Sequence, residues 1–184
     1  PTVTSLTPTA NADWRTALGG HVRLHAVRFF KPKGLSSVLN VLIHSGGEIA
    51  EHAIYNQQQS LEKTLAALKP GNPDQPDLFV LGIAGWGEQE VFHREIKFLQ
   101  QDFLPRFHAT ERAVFLVNSQ RDIHSQPLAT ITSIEQAILR LGEVMDKDDD
   151  ILLIYATSHG SRESGLALDH RGLVLTDLSP DALG

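Results

Sequence analysis

The sequence predicts an α/β fold with a mainly parallel central sheet, and three observations lead there. Buried-looking apolar runs recur at 77–83 (D-L-F-V-L-G-I), 112–117 (R-A-V-F-L-V) and 151–156 (I-L-L-I-Y-A). Continuous apolar character at strand length means that both faces of each strand are covered. Between the runs lie two stretches whose apolar residues fall at helical spacing. Strand, helix, strand, helix, strand is the order that right-handed crossovers turn into a parallel sheet.

Taken in order, the chain opens with a Thr- and Pro-containing lead, residues 1–11, expected to be poorly ordered. Over 13–45 two patterns compete: Val22, Leu24 and Ala26 alternate as in a strand, whereas Leu35, Val38, Leu39 and Leu42 fall at helical spacing. Arg23, Arg28, Lys31 and Lys33 make this the most basic part of the chain. Such a run is ordinarily a solvated face; the alternative is a surface that lies near a membrane or an acidic partner. Residues 55–68 read as a helix with Leu61, Leu65 and Leu68 on one stripe. Pro70, Gly71, Pro73 and Pro76 then break the chain before the first buried run. That run passes through the Gly-rich turn 84–87 into a helix expected over 88–104, with Phe92, Ile96, Leu99 and Phe103 on one face and Pro105 closing it. After the second run, a polar stretch, 118–130, leads to a helix with an expected capping box, Thr132-x-x-Glu135. Its stripe is Ile134, Ala137, Ile138, Leu141, Val144 and Met145. The turn 146–150 feeds the third run, and the short apolar pieces 165–169 and 173–175 around Arg171-Gly172 suggest a hairpin beyond it.

At 184 residues, 41% hydrophobic and 21% charged, the chain can bury one sizeable core. A net charge of −6 gives no overall basic field, so nucleic acid is not an expected partner. There is no cysteine, which excludes disulfides, thiolate metal sites and a cysteine nucleophile within these residues. No apolar stretch reaches the roughly 20 residues of a membrane span, and no signal-peptide pattern is present. The start at Pro1, and an end just after the helix-start signal Ser179-Pro180-Asp181, suggest a fragment.

Chemistry has four candidate places. Gly82, Gly85 and Gly87 follow a strand and precede a helix, where glycines let backbone amides approach a phosphate. Their G-x-x-G-x-G spacing is neither the dinucleotide fingerprint nor the phosphate loop, so a tight turn is the simpler reading. Ser158, Ser161 and Ser164 flank His159, but the G-x-S-x-G elbow of a serine hydrolase is absent. His21 and His25 have metal-ligand spacing on a helix but lack a third ligand nearby, and neither metal nor cofactor is expected. The fourth place is Thr157-Ser158-His159-Gly160, at the carboxyl end of the third run, where open α/β sheets gather their chemistry. A neutral imidazole takes a thiol or hydroxyl proton near pH 7. A glycine beside it lets its N–H approach a developing oxyanion. On residue types alone, such a histidine is more often structural than catalytic.

The run I-L-L-I-Y-A-T-S-H-G-S, the crossovers before it and the strand and turn D-L-F-V-L-G-I-A-G-W-G together resemble the legumain-type (asparaginyl endopeptidase) cysteine peptidases, particularly bacterial members, which share a structural clan with the caspases. The similarity covers roughly residues 58–183. It implies an α/β caspase-like three-layer sandwich with a mainly parallel central sheet, incomplete at the C-terminus. Residues 1–50 are then an N-terminal segment of uncertain structure and 51–184 a partial caspase-like peptidase domain. His159 matches the catalytic histidine of that family, and Gly160 the glycine whose amide helps form the oxyanion hole. The nucleophilic cysteine of the family follows the next buried strand, which lies beyond residue 184, so the implied function is cysteine-type endopeptidase with a peptide or protein substrate. The alternatives are a catalytically silent caspase-like binding module and a nucleotide-binding α/β domain. Two departures stand out: the Asn that follows the Gly-Trp pair in eukaryotic legumains is replaced by Gly87-Glu88-Gln89, and the Asp before their histidine is here Ser158. A preference for cleavage at Asn is therefore not carried over. Bacterial relatives often carry membrane segments upstream, so membrane association is expected only through segments outside this chain.

Overall fold

Three of the chain's strands form where the apolar runs lie, and their order in space is not their order in sequence. The computed structural model describes residues 23–30, 47–161 and 165–179. The strands are β1 (Arg23–Phe30), β2 (Leu78–Ala84), β3 (Ala113–Val117), β4 (Ile151–Ser161) and the short β5 (Gly165–Leu166); the helices are α1 (Gly47–Ala66), α2 (Glu90–Phe98) and α3 (Ile131–Val144). Four strands run parallel in the order β1-β4-β2-β3, and β5 pairs antiparallel with β4. The described residues thus form an α/β fold, with a mostly parallel mixed sheet and three α-helices. The expected disorder of 1–11, the helical spacing over 35–42, His21, Ser164 and the start signal at 180–181 lie outside the described residues. His25 falls within β1.

Strand alternation sorts the sheet into two faces. Phe79, Leu81 and Ile83 of β2, Val114 and Leu116 of β3, and Leu152, Ile154 and Ala156 of β4 pack in one cluster with Leu61 and Leu68 of α1 and with Ile134, Ala137, Ile138 and Leu141 of α3. The intervening residues Val80, Ala84, Phe115 and Val117 pack with Phe92 and Ile96 of α2 and with Leu99, Leu104 and Ala109 after it. From β2 the chain steps outward to β3 through α2, then returns across β2 to β4 through α3. Two crossovers of one hand running in opposite directions put their helices on opposite faces, which is where α2 and α3 are found.

Several boundaries differ from those expected. The first helix starts at Gly47 rather than Tyr55, and Ala53, within the added length, packs in a small cluster with Ile123 and Leu128. The helix expected over 88–104 is α-helical only for Glu90–Phe98; a π-helical turn (Leu99–Phe103) and a 3-10 turn (Leu104–Phe107) follow. Pro105 has no N–H and its ring collides with the carbonyl one turn back, so the helix widens ahead of it. Thr130, not Thr132, caps α3: its side chain accepts a hydrogen bond from the Ser133 N–H at 3.1 Å. The largest difference is β4, which does not stop before the T-S-H-G element but continues through it to Ser161. Polar residues are tolerated in a buried strand when their groups find partners. Thr157 donates to Glu95 Oε2 (2.6 Å), and Ser158 donates to the Ala167 carbonyl (2.6 Å). The hairpin beyond exists: Leu166 exchanges backbone hydrogen bonds with Leu178, and the return turns at Gly172, whose φ is 85°.

Candidate functional site

The carboxyl ends of β2 and β3 lead into helices on opposite faces of the sheet, α2 and α3, and in open α/β sheets the crevice outside the carboxyl ends at such a reversal is the usual binding place; β4 is the other neighbour of β2. The sequence puts Gly85-Trp86-Gly87 at the end of β2, Asn118 at the end of β3 and His159 near the end of β4. His159 shares its strand face with Tyr155 and Thr157, on the α2 side. The residue is buried, at 6% exposed. The ring is held edge to face by Trp86 (centroids 4.8 Å apart, planes at 86°) and by Phe92 of α2 (5.2 Å, 81°). T-shaped packing of this kind orients a ring as well as burying it.

The Trp86 turn is itself fixed by backbone. Gly85 N–H donates to the Thr157 carbonyl (3.0 Å), Asp169 N–H donates to the Gly85 carbonyl (2.8 Å), and Gly87 N–H donates to the Asp169 carbonyl (3.0 Å). Asn118, completely buried, donates to the carbonyls of Gly85 and Ala129 and accepts from the Ala129 N–H. One amide side chain therefore ties the ends of β2 and β3 to the start of α3. The three glycines of the candidate phosphate turn have packing reasons. A Cβ on Gly82 would meet the Phe115 ring, on Gly85 the Ala167 carbonyl and Ser158, and on Gly87 the Asn118 carbonyl. The next helix begins at Glu90, three residues after Gly87.

Gly160 sits one residue past the histidine, half-buried. His159 and Ala167 form a hydrogen-bonded pair, the Ala167 N–H donating to the His159 carbonyl at 2.8 Å. The adjacent Gly160–Leu166 pair must then be non-hydrogen-bonded, and Leu166 indeed spends its groups on Leu178. Gly160's N–H consequently turns to the other side of β4, where Phe30, the last residue of β1, stands opposite His159. Ser158 lies on the opposite face of β4 from His159, so those two neighbours in sequence do not converge. Glu88 and Gln89, which follow the Trp86 turn, are exposed.

Sequence reasoning missed four groups near the site. Glu95 of α2 accepts from Tyr155 Oη (2.8 Å) as well as from Thr157, anchoring α2 to the strand that carries His159. His93 Nδ1 and Lys97 Nζ, the latter at 3.7 Å, pair with Asp122 in the loop after β3. Asp169 lies beside Trp86 in an isolated bridge, and burial, with the like charges of Glu88 and Asp177, pushes its carboxyl above the ordinary range. His170 is fully buried; burial lowers its pKa, against the opposing effect of the Arg171 carbonyl 3.1 Å from Nδ1. Asn118 alone carried a legible signal, since it is a polar residue ending the buried run of β3 just as Thr157-Ser158-His159 ends that of β4. Among the described residues no three His, Asp or Glu side chains converge as metal ligands would, and no helix is long and apolar enough to cross a membrane. No family model matches the chain, and neither a curated protein nor a solved structure matches it.

Proposed function

We propose that the complete protein is a cysteine-type endopeptidase of the legumain-like kind, on a caspase-like three-layer sandwich, acting on a peptide or protein substrate. One observation carries the reading: a ring-oriented histidine near the carboxyl end of the parallel strand β4, beside the Gly85-Trp86-Gly87 turn that ends β2. In this reading His159 takes the proton of a thiol supplied from outside residues 1–184 and returns it to the leaving amine after the carbonyl is attacked. The resemblance assigns the oxyanion to Gly160's N–H; that amide faces the Phe30 end of β1, so β1 must draw back from it before it can donate. Trp86 and Phe92 hold the imidazole against rotation, and Glu95 fixes the strand below it.

The test is hydrolysis of fluorogenic peptides by the complete protein and by its His159→Ala variant. Loss of a general base lowers the rate by about 10²–10⁴. Equal rates would sink the assignment. A second reading, a catalytically silent caspase-like binding module, is favoured by the run of β1 along β4, which brings Phe30 opposite His159 on the side to which Gly160 turns. That reading expects peptide binding without turnover by the complete protein, and detectable His159-dependent turnover rules it out.

A further inference from the structure

At the far side of the sheet from β1, strand β3 has one edge on β2, and no other strand among the described residues pairs with its second edge. Its residues alternate in the direction of their backbone groups. Asn118 N–H donates inward to the Ala84 carbonyl (2.9 Å), whereas Val117 N–H donates outward to the Pro127 carbonyl (2.8 Å). Counting back by two, Phe115 and Ala113 also turn their N–H and C=O groups outward. The loop 118–127 folds back over the Val117 end only, and the outward groups of Ala113 and Phe115 face a groove. Its volume is about 1200 Å³, and it is lined by those two residues, by α1 and Ala67 and Leu68 just after it, by Thr110 and Glu111, and by residues 123–126. The α1 wall is a stripe at helical spacing, Asn56, Gln59, Ser60, Lys63 and Thr64, all polar, continued by Ala67 just past the helix end.

We infer that this groove takes an extended peptide segment as an added strand on β3, with an acidic side chain directed at Lys63. The site lies away from His159, and the inference goes beyond the proposed peptidase activity. The helical wall of the groove is polar, which suits the side chains of an extended segment lying along the strand edge. Strand addition supplies affinity through main-chain hydrogen bonds and specificity through alternate side chains. Ala113 and Phe115 offer the main-chain groups, and the amides and hydroxyls of α1 offer partners to side chains on one side. Lys63 is exposed, whereas the nearby Lys69 is paired with Glu111 at 2.6 Å, so the charge left to select a partner is positive. A second copy pairing edge to edge is disfavoured, because only two residues of the edge are open and α1 and the 118–127 loop stand on either side of them.

The experiment titrates the chain into a fluorescein-labelled peptide, Val-Thr-Val-Glu-Val-Thr, up to millimolar chain, and follows fluorescence anisotropy. Binding is expected, and methylating alternate backbone nitrogens of the peptide should weaken it on the order of tenfold, because buried backbone groups are left without partners. Lys in place of the peptide's Glu should weaken binding about threefold, the size of an exposed ion pair, and Lys63→Glu in the chain should reverse that preference. Lys63 is an exposed helical position, so its substitution leaves the fold intact. His159→Ala must leave the affinity unchanged, which separates this groove from the proposed active site. No anisotropy change, equal binding of the methylated peptide, or a concentration-dependent doubling of mass by sedimentation that the peptide does not suppress would each overturn the inference.

Discussion

The face of the sheet under α1 and α3 and the face under α2 are made from the same strands, alternate residues going to each, yet they carry different chemistry. On the first, β2, β3 and β4 present Leu81, Ile83, Leu116, Ile154 and Ala156 to Leu61 of α1 and Leu141 of α3, with no charge in the cluster. On the second, β4 presents Tyr155, Thr157 and His159, and α2 brings the Glu95 carboxylate to two of them. A dry face can be repaired by any apolar group of similar volume, whereas a face with buried hydroxyls and a carboxylate depends on particular partners. The first face holds the sheet together. The second fixes how the carboxyl end of β4 is presented.

The largest effect should come from the dry face. Leu141→Ala removes a fully buried side chain from the last turn of α3 and should cost about 2–5 kcal/mol in urea unfolding. A cost below about 1 kcal/mol would mean that α3 does not close this core, since a well-packed site cannot collapse onto such a cavity so cheaply. Glu95→Ala comes next, at about 1–3 kcal/mol, because it strands the buried Thr157 hydroxyl and the Tyr155 hydroxyl. Glu95→Gln keeps an acceptor oxygen and should recover part of the loss. Combining Leu141→Ala with Glu95→Ala sharpens the comparison: residues on opposite faces with no shared partner should add to within about 0.5 kcal/mol. Strong coupling would mean the sheet transmits strain between its faces. Thr130→Ala, which removes the N-cap of α3, should cost about 1 kcal/mol and leave the second face untouched.

What could be read from the sequence follows the same division. The dry face was legible because its signal is local: β2, β3, β4 and the stripe of α3 are each an uninterrupted or periodic apolar pattern. The continuation of β4 through Thr157-Ser158-His159 was not, because what allows those residues inside a strand is Glu95, 62 positions away from Thr157. The cap of α3 was misplaced by two residues, since Thr132-x-x-Glu135 satisfies the capping pattern, but Thr132 is exposed and the helix already runs from Ile131. His159 was identifiable as a candidate from its place at a strand end. Its orienting partners Trp86 and Phe92 were not, because ring packing between distant segments leaves no pattern in either.

The smallest effects should appear as two opposed pH slopes from neighbouring residues. Asp169 ionises less readily when folded, through burial and the charges of Glu88 and Asp177. From about 3.9, the ordinary aspartate value, up to its raised folded value, the folded chain holds more protons than the unfolded one. Stability therefore falls as pH rises through that window, and Asp169→Asn should remove the fall and stabilise the chain above it. His170 behaves oppositely. Its burial lowers the folded pKa, and because Nδ1 lies against the Arg171 carbonyl it must carry the proton of the neutral ring. Protonation would add an N–H at Nε2, which has no partner among the described residues. Between that lowered value and about 6.5 the unfolded chain holds more protons, so stability rises with pH there and is lost as pH falls. Urea midpoints measured over a pH series for the parent chain, Asp169→Asn and His170→Gln should show the two slopes disappear separately, each in its own window. If His170→Gln leaves the slope below about pH 6.5 unchanged, the segment after Asp169 opens to water on the folded side, and the imidazole is not held in the dry environment that its burial in the structure describes.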